Sequence, residues 1–401
     1  MLLRNTLKQI LLDQLPLRPP AKPVPRTLDA RVPLDSAHAV VLTGVRRSGK
    51  STLQAQLRER AGSRGLYCNF EDPRLFELGV ADFTHFLELV DELAPGRQPV
   101  FFDEVQELPE WQRLVRLLLD RGRPACLTGS NASLLGRELG TKLTGRHLSF
   151  EVFPFSYAEY LVGTRQRAGA ASLRAYLDDG GFPGYLAERR PELLRELFRD
   201  IIQRDIAHRY ALRETRHLMN LGLHLLANTG QPVSLQRLTK ALAIPTVGQT
   251  SAYTEYLEDA YLLLSLARFS PSFKQRVTSP YKYYAIDNGL RRANSPQPQP
   301  DLGHRLENAV FLALRRQAGP LHYAAETDRW ECDFLTDTAA IQVCAELTSA
   351  NMPRELAGLA GALQLRGKRT GLILTLDQRD TVAVEGQRVK VLPAWEWLAE
   401  Q

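Results

Sequence analysis

Residues 44–52 read GVRRSGKST, and the fold follows from how this stretch is flanked. The spacing fits GxxxxGK[ST]. An apolar run, AVVLT (39–43), precedes it, and helix-forming residues follow from Ser51 to Arg60. A buried strand, a glycine-hinged turn and a helix N-terminus in that order make a polyphosphate cradle. Gly44 and Gly49 let the backbone curl so that its N–H groups face inward. The helix adds the positive end of its dipole. Lys50 is placed to reach β- and γ-phosphate oxygens, and Ser51 to put a hydroxyl on Mg²⁺. Arg47, Ser48 and Thr52 complete the candidate nucleotide contacts.

A second stretch, PVFFDEVQELPEW (99–111), ends an apolar strand in Asp103 and follows it at once with Glu104. Asp103 suits a magnesium held through water. Glu104 suits the orientation and deprotonation of an attacking water. A strand that needs only a capping acid has no use for the second carboxylate, so the pair points to hydrolysis and not to binding alone. A third strand, PACLTGSNASLL (124–135), ends in Ser130 and Asn131. If it lies between the phosphate loop and the acid pair, Asn131 is placed to sense the γ-phosphate; a plain strand-ending turn is the alternative.

The chain has 401 residues, 44% hydrophobic and 24% charged, with a formal net charge of +6. Size and composition suit a globular protein of two or three domains. So small a charge is compatible with a polyanionic partner without requiring one. The four cysteines form no CxxC pair, which argues against a zinc knuckle or a disulfide framework. The N-terminal MLLRNTLKQILLDQL is amphipathic, and no apolar run approaches the roughly 20 residues that span a bilayer. A cytoplasmic protein with no membrane partner is expected.

Alternating strands and helices over 36–160 predict an α/β core, a parallel sheet with helices on both faces in the manner of P-loop NTPases. A helix and a proline-rich tether (1–35) precede it. A helical lid (161–212), a winged helix (213–293), a linker NSPQPQP (294–300) and a small α/β unit (301–401) follow. In the winged region Ser234 is a candidate N-cap. The helix from about residue 247 would be the recognition element, yet it carries no lysine or arginine from Thr246 to Leu257. No acid stands between Asp259 and Asp287. Arg268, Lys274, Arg276 and Lys282 fall in that window among Phe269, Phe273, Tyr281, Tyr283 and Tyr284. A basic, aromatic hairpin of this kind suits DNA backbone and minor-groove contact; a packed lid or subunit contact is the alternative. His217 and His224 suit core or surface places better than a metal site.

In ECDFLTDTAAIQVCAEL (331–347), a restriction-enzyme type of nuclease would set a carboxylate at 342 and a lysine at 344. Those positions hold Gln342 and Cys344. With Glu307 on a preceding helix and Asp333 on a strand, the fold order is kept while the metal ligands are not, which argues against nuclease activity. Glu346 would be a displaced carboxylate on the same strand face.

GVRRSGKST, FFDEVQELPEW, LTGSNASLL, FEVFPFSYAEYL and GGFPGYL together resemble a prokaryotic family of AAA-type ATPases. Its members join the ATPase to a winged-helix region and a C-terminal domain similar to restriction endonucleases. The resemblance implies Mg-ATP hydrolysis, often linked to DNA transactions; an ATPase that binds duplex or branched DNA and remodels or moves on it is expected. It implies that Arg146 lies near a nucleotide or a subunit boundary and acts as a finger, often in trans; a surface ion pair is the alternative. A homo-oligomer, a hexamer among such rings, would then be expected. It also implies that Gly180, Gly181 and Pro183 form a turn against the nucleotide. A nucleotide-gated signalling switch with protein partners is the main alternative, and an ATP-regulated nuclease a further one.

Overall fold

The computed structural model describes residues 2–16, 23–62, 65–129, 145–272, 275, 278–295, 302–317, 319–365 and 370–401. They divide into two compact units, 1–153 and 154–401.

The first unit is built on a five-stranded sheet in the order β2-β3-β4-β1-β5. The strands are β1 (Ala39–Thr43), β2 (Leu66–Asn69), β3 (Val100–Asp103), β4 (Ala125–Gly129) and β5 (His147–Glu151). Every neighbouring pair is parallel. Parallel strands need long crossovers, and these put helices on both faces, so the inner strands are buried throughout. Alternation then sorts the side chains. Phe102 and Leu127 point into one layer with the helices Phe83–Leu93 and Trp111–Asp120. Phe101 and Cys126 point into the other, against Leu53 and Leu57 of the helix Lys50–Arg60.

The N-terminal segment belongs to this unit and is not a separate piece ending at residue 35. Leu7, Ile10 and Leu11 of the helix Arg4–Gln14 are buried in the same cluster as Phe102. Further along, Arg26 is buried and donates to the carbonyls of Ser48 at 3.0 Å and Phe153 at 2.5 Å. A proline-rich composition predicts extension, but tertiary burial decides where the extended chain lies.

The second unit contains a helix Arg216–Ala227, strand β6 (Pro232–Val233), helices Leu235–Ala241 and Val247–Asp259, and strands β7 (Leu263–Leu266) and β8 (Tyr281–Ala285). The strands form an antiparallel sheet in the order β6-β8-β7. Ser234 caps its helix, accepting from the Arg237 amide at 3.4 Å. A six-stranded mixed sheet follows, ordered β13-β14-β12-β11-β10-β9. Its strands are β9 (His322–Glu326), β10 (Trp330–Leu335), β11 (Ala339–Val343), β12 (Thr370–Thr375), β13 (Asp380–Val384) and β14 (Gln387–Pro393). The segment after β7 continues onto this sheet: Phe269 donates to the Tyr323 carbonyl at 2.7 Å and Tyr323 to that of Ala267 at 3.1 Å. The hairpin and the C-terminal sheet are thus joined by backbone, not only through the linker. No helix among the described residues is long and apolar enough to cross a membrane.

Since Leu7 is wholly enclosed, Leu7→Ala should cost the first unit about 2–5 kcal/mol. Denaturant unfolding measures it. A loss below about 0.5 kcal/mol, the size of a surface substitution, would mean that the helix is not part of the core.

Candidate nucleotide site

The phosphate loop lies between β1 and the helix Lys50–Arg60. Gly44 (φ 147°) and Gly49 (φ 97°) adopt conformations that side chains disfavour. A Cβ on Gly44 would lie 2.2 Å from the Val152 carbonyl oxygen, so the loop is closed against the segment after β5. Lys50 is 4% exposed, and its ammonium donates to the carbonyls of Gly44 at 3.0 Å and Val45 at 3.1 Å. It fills the concavity of its own loop. Ser48 is enclosed and its hydroxyl has no partner among the described residues. An orphaned hydroxyl inside an anion cradle is what a phosphate oxygen would satisfy. Arg47 (φ 63°) is exposed on the loop and Thr52 half-buried on the helix.

Strand β4 separates β1 from β3, and the parallel register brings the C-terminal ends of all three together. The Ser51 hydroxyl consequently donates to Asp103 Oδ1 at 3.1 Å. Asp103 is buried and accepts two more bonds, from the Tyr67 hydroxyl to Oδ2 at 2.9 Å and from the Thr128 hydroxyl to Oδ1. Burial and the neighbouring Asp103 charge push the Tyr67 phenol well above its ordinary range, so it stays a donor. Glu104 is left-handed (φ 48°), which turns its side chain out of the strand. Its amide donates to the Thr128 hydroxyl at 2.9 Å, and its carboxylate accepts from Gln106 at 2.6 Å. From the helix, Gln54 donates to the carbonyls of Phe102 at 3.1 Å and Cys126 at 3.0 Å. A hydroxyl and a carboxylate converging beside an ammonium fit Mg²⁺, which takes hard oxygen ligands.

Arg146 stands at the wrong end of the sheet for its own loop. Its carbonyl accepts from Ala39 at the start of β1, whereas the loop leaves the far end of that strand, about 16 Å away at strand rise. Its guanidinium pairs with Asp120 at 2.5 Å. Pro183 opens the helix Pro183–Glu188 in the second unit, where Asp287 accepts from the Gly181 amide at 2.6 Å. Lys282, expected on DNA, is 1% exposed and faces carboxylates. It has no surface to offer a phosphate. Arg268 is half-buried and donates to the Ala325 carbonyl. Asn131, Lys274 and Arg276 lie outside the described residues.

Two proteins match along nearly the whole chain. An uncharacterized protein of Haemophilus influenzae is 30% identical, covering 91% of this chain and 95% of that one. The uncharacterized protein MJ1544 of Methanocaldococcus jannaschii is also 30% identical, covering 97% and 94%. The chain belongs to their family. Within it, residues 36–161 match the AAA domain, and residues 170–301 match DUF8612, a domain of unknown function. The AAA match contains the phosphate loop and the acid pair, so the first unit is an AAA-type P-loop domain. Likeness to solved structures is low. RuvB of Thermotoga maritima is 17% identical with a TM-score of 0.30, covering 59% of this chain and 84% of that one. A signal-transduction ATPase with a tetratricopeptide repeat sensor, PH0952 of Pyrococcus horikoshii, is 13% identical with a TM-score of 0.30, covering 76% and 48%. Neither bears on function.

Thr128 serves both acids. Thr128→Val keeps its shape but strips the hydroxyl, and should cost the first unit about 1–3 kcal/mol. Thr128→Ser should cost less, since it keeps the bonds. Equal losses for the two in thermal unfolding would place the effect in packing.

Proposed function

We propose that the chain binds Mg-ATP and hydrolyses it. The carrying observation is the 3.1 Å bond from Ser51 to Asp103 beside the enclosed Lys50 ammonium. In this account the β- and γ-phosphate oxygens take over Lys50 from the Gly44 and Val45 carbonyls, while loop amides and the Ser48 hydroxyl bind the remaining oxygens. Bound magnesium neutralises charge that develops on the phosphates. Ser51 and Asp103 are the residues that would hold it, and the bonds from Tyr67 and Thr128 keep the carboxylate aimed. Glu104 orients a water, which attacks the γ-phosphorus as the bond to the bridging oxygen breaks; Glu104 takes the proton and ADP leaves. Arg146 reaches such a phosphate only across a subunit boundary, so its part requires a homo-oligomer, a hexameric ring being one form.

We propose DNA as the partner of the second unit. Support comes from the order helix, strand, helix, helix, strand, strand over 216–285, which is that of a winged helix. Lys274 and Arg276, in the acid-free window, then carry the phosphate contacts in place of Lys282. A nucleotide-gated switch with protein partners makes the opposite prediction about stimulation.

Lys50→Ala should weaken ATP binding by about 100-fold. Glu104→Gln should bind ATP while turnover falls by about 10²–10⁴. Native turnover in Glu104→Gln would remove it as the base. ATPase rates with single-stranded, duplex and branched DNA test the partner. Stimulation supports DNA; slow turnover indifferent to all three supports the switch. The double charge reversal Lys274→Glu, Arg276→Glu should weaken DNA binding and lower its salt slope by about 1 per lost contact. An unchanged slope would move the DNA surface elsewhere.

A further inference from the structure

In the second unit a cleft of about 800 Å³ opens at residues that the nuclease comparison singles out, Glu307, Asp333, Gln342, Cys344 and Glu346, with Glu331 and Glu355 beside them. Lys282 enters it from β8. Its ammonium lies 2.7 Å from Glu331, 3.4 Å from Glu307 and 3.8 Å from Asp333, with only 2% of the side chain exposed. It also stands 5.4 Å above the Tyr323 ring. Two of these carboxylates accept further bonds. Tyr284, two residues along β8 on the same face, donates to Glu307 at 2.6 Å. The Val343 amide donates to Asp333 at 2.8 Å.

The same geometry explains Gln342. Its amide nitrogen donates to buried Glu355 at 2.6 Å, and its oxygen faces the Asp333 amide at 3.4 Å. A carboxylate at 342 would set two anions against each other. Cys344 is buried in an apolar cluster, with no charge to contribute. Among the described residues no three acids, histidines or cysteines converge in a metal-holding arrangement. While Lys282 stands among them, these residues therefore do not fit a restriction-type metal centre. Burial alone would pull the Lys282 ammonium down, but Glu307, Asp333 and Glu331 more than reverse this and hold it above the ordinary lysine range.

We infer that the chain supplies its own cation here: the ammonium of Lys282 stands where a nuclease would hold a divalent metal, and clasps β8 to the C-terminal sheet. The lysine missing from β11 has not vanished from the cluster; it arrives from another strand, as a counter-ion. What would be a reaction centre becomes a joint between the region 216–285 and the C-terminal sheet, and the joint needs no metal.

The test is a titration of the full chain with Mn²⁺ alone, in a Ser51→Ala background so that the nucleotide site adds no ion, followed by thermal unfolding. The Lys282 protein should bind no Mn²⁺ at the cluster. Lys282→Met should melt about 10 °C lower, because it leaves buried carboxylates without their cation. It should gain one Mn²⁺ that restores part of the loss. Glu331→Gln should lower the melt less and gain none. One Mn²⁺ bound by the Lys282 protein and lost in Asp333→Asn would overturn the inference, as would unchanged melting of Lys282→Met, or lowered melting without a gained ion. If Lys282→Met does not fold, the titration of the Lys282 protein and the Glu331→Gln melt decide.

Discussion

Parallel register is the constraint on which the candidate nucleotide site depends. Ser51 and Asp103 are 52 residues apart and rooted on opposite sides of β4, yet they meet because β1, β4 and β3 all end at the same edge. Any strand reversed in that trio would send its terminal polar residue to the other end of the sheet, where Arg146 stands. The buried faces fix the register in turn. Slipping one strand by a residue would exchange Phe101 for Phe102 between two cores of different shape. Apolar packing therefore sets the position of the hydroxyl, the carboxylate and the ammonium, and the polar bonds refine it.

Much of the first unit was legible in the residues. Glycines at fixed spacing, a lysine, a hydroxyl and two adjacent acids each carry a local signature that the fold does not override. The supporting shell was not legible. Tyr67 sits in an ordinary strand and Thr128 in another, and only the lateral order β2-β3-β4 turns them into donors for Asp103. Arg26 carries no sign of its destination either. A proline-rich stretch reads as an extended tether, and the burial of Arg26 at its end comes from Ser48 and Phe153, more than 20 residues away.

The second unit shows how a charge count misleads. Lys282 sits in a window without acids, but its partners arrive from 25 to 51 residues downstream, on a helix and on β10. Linear neighbours describe the potential of an unfolded segment, whereas a folded lysine answers to whatever the topology brings within 4 Å. Gln342 and Cys344 look like erosion when read alone. Beside Glu355 and Lys282 they are consistent choices, one donating where a carboxylate would repel and the other filling an apolar cluster.

The central claim is that one magnesium-triphosphate is shared by the loop and the acid at the end of β3. The most direct measurement is the affinity of ATP with and without Mg²⁺, by calorimetry, in the native chain and in Ser51→Ala. Mg²⁺ should tighten binding in the native chain, and most of that gain should vanish in Ser51→Ala while metal-free affinity is kept. The same gain in both proteins would contradict it.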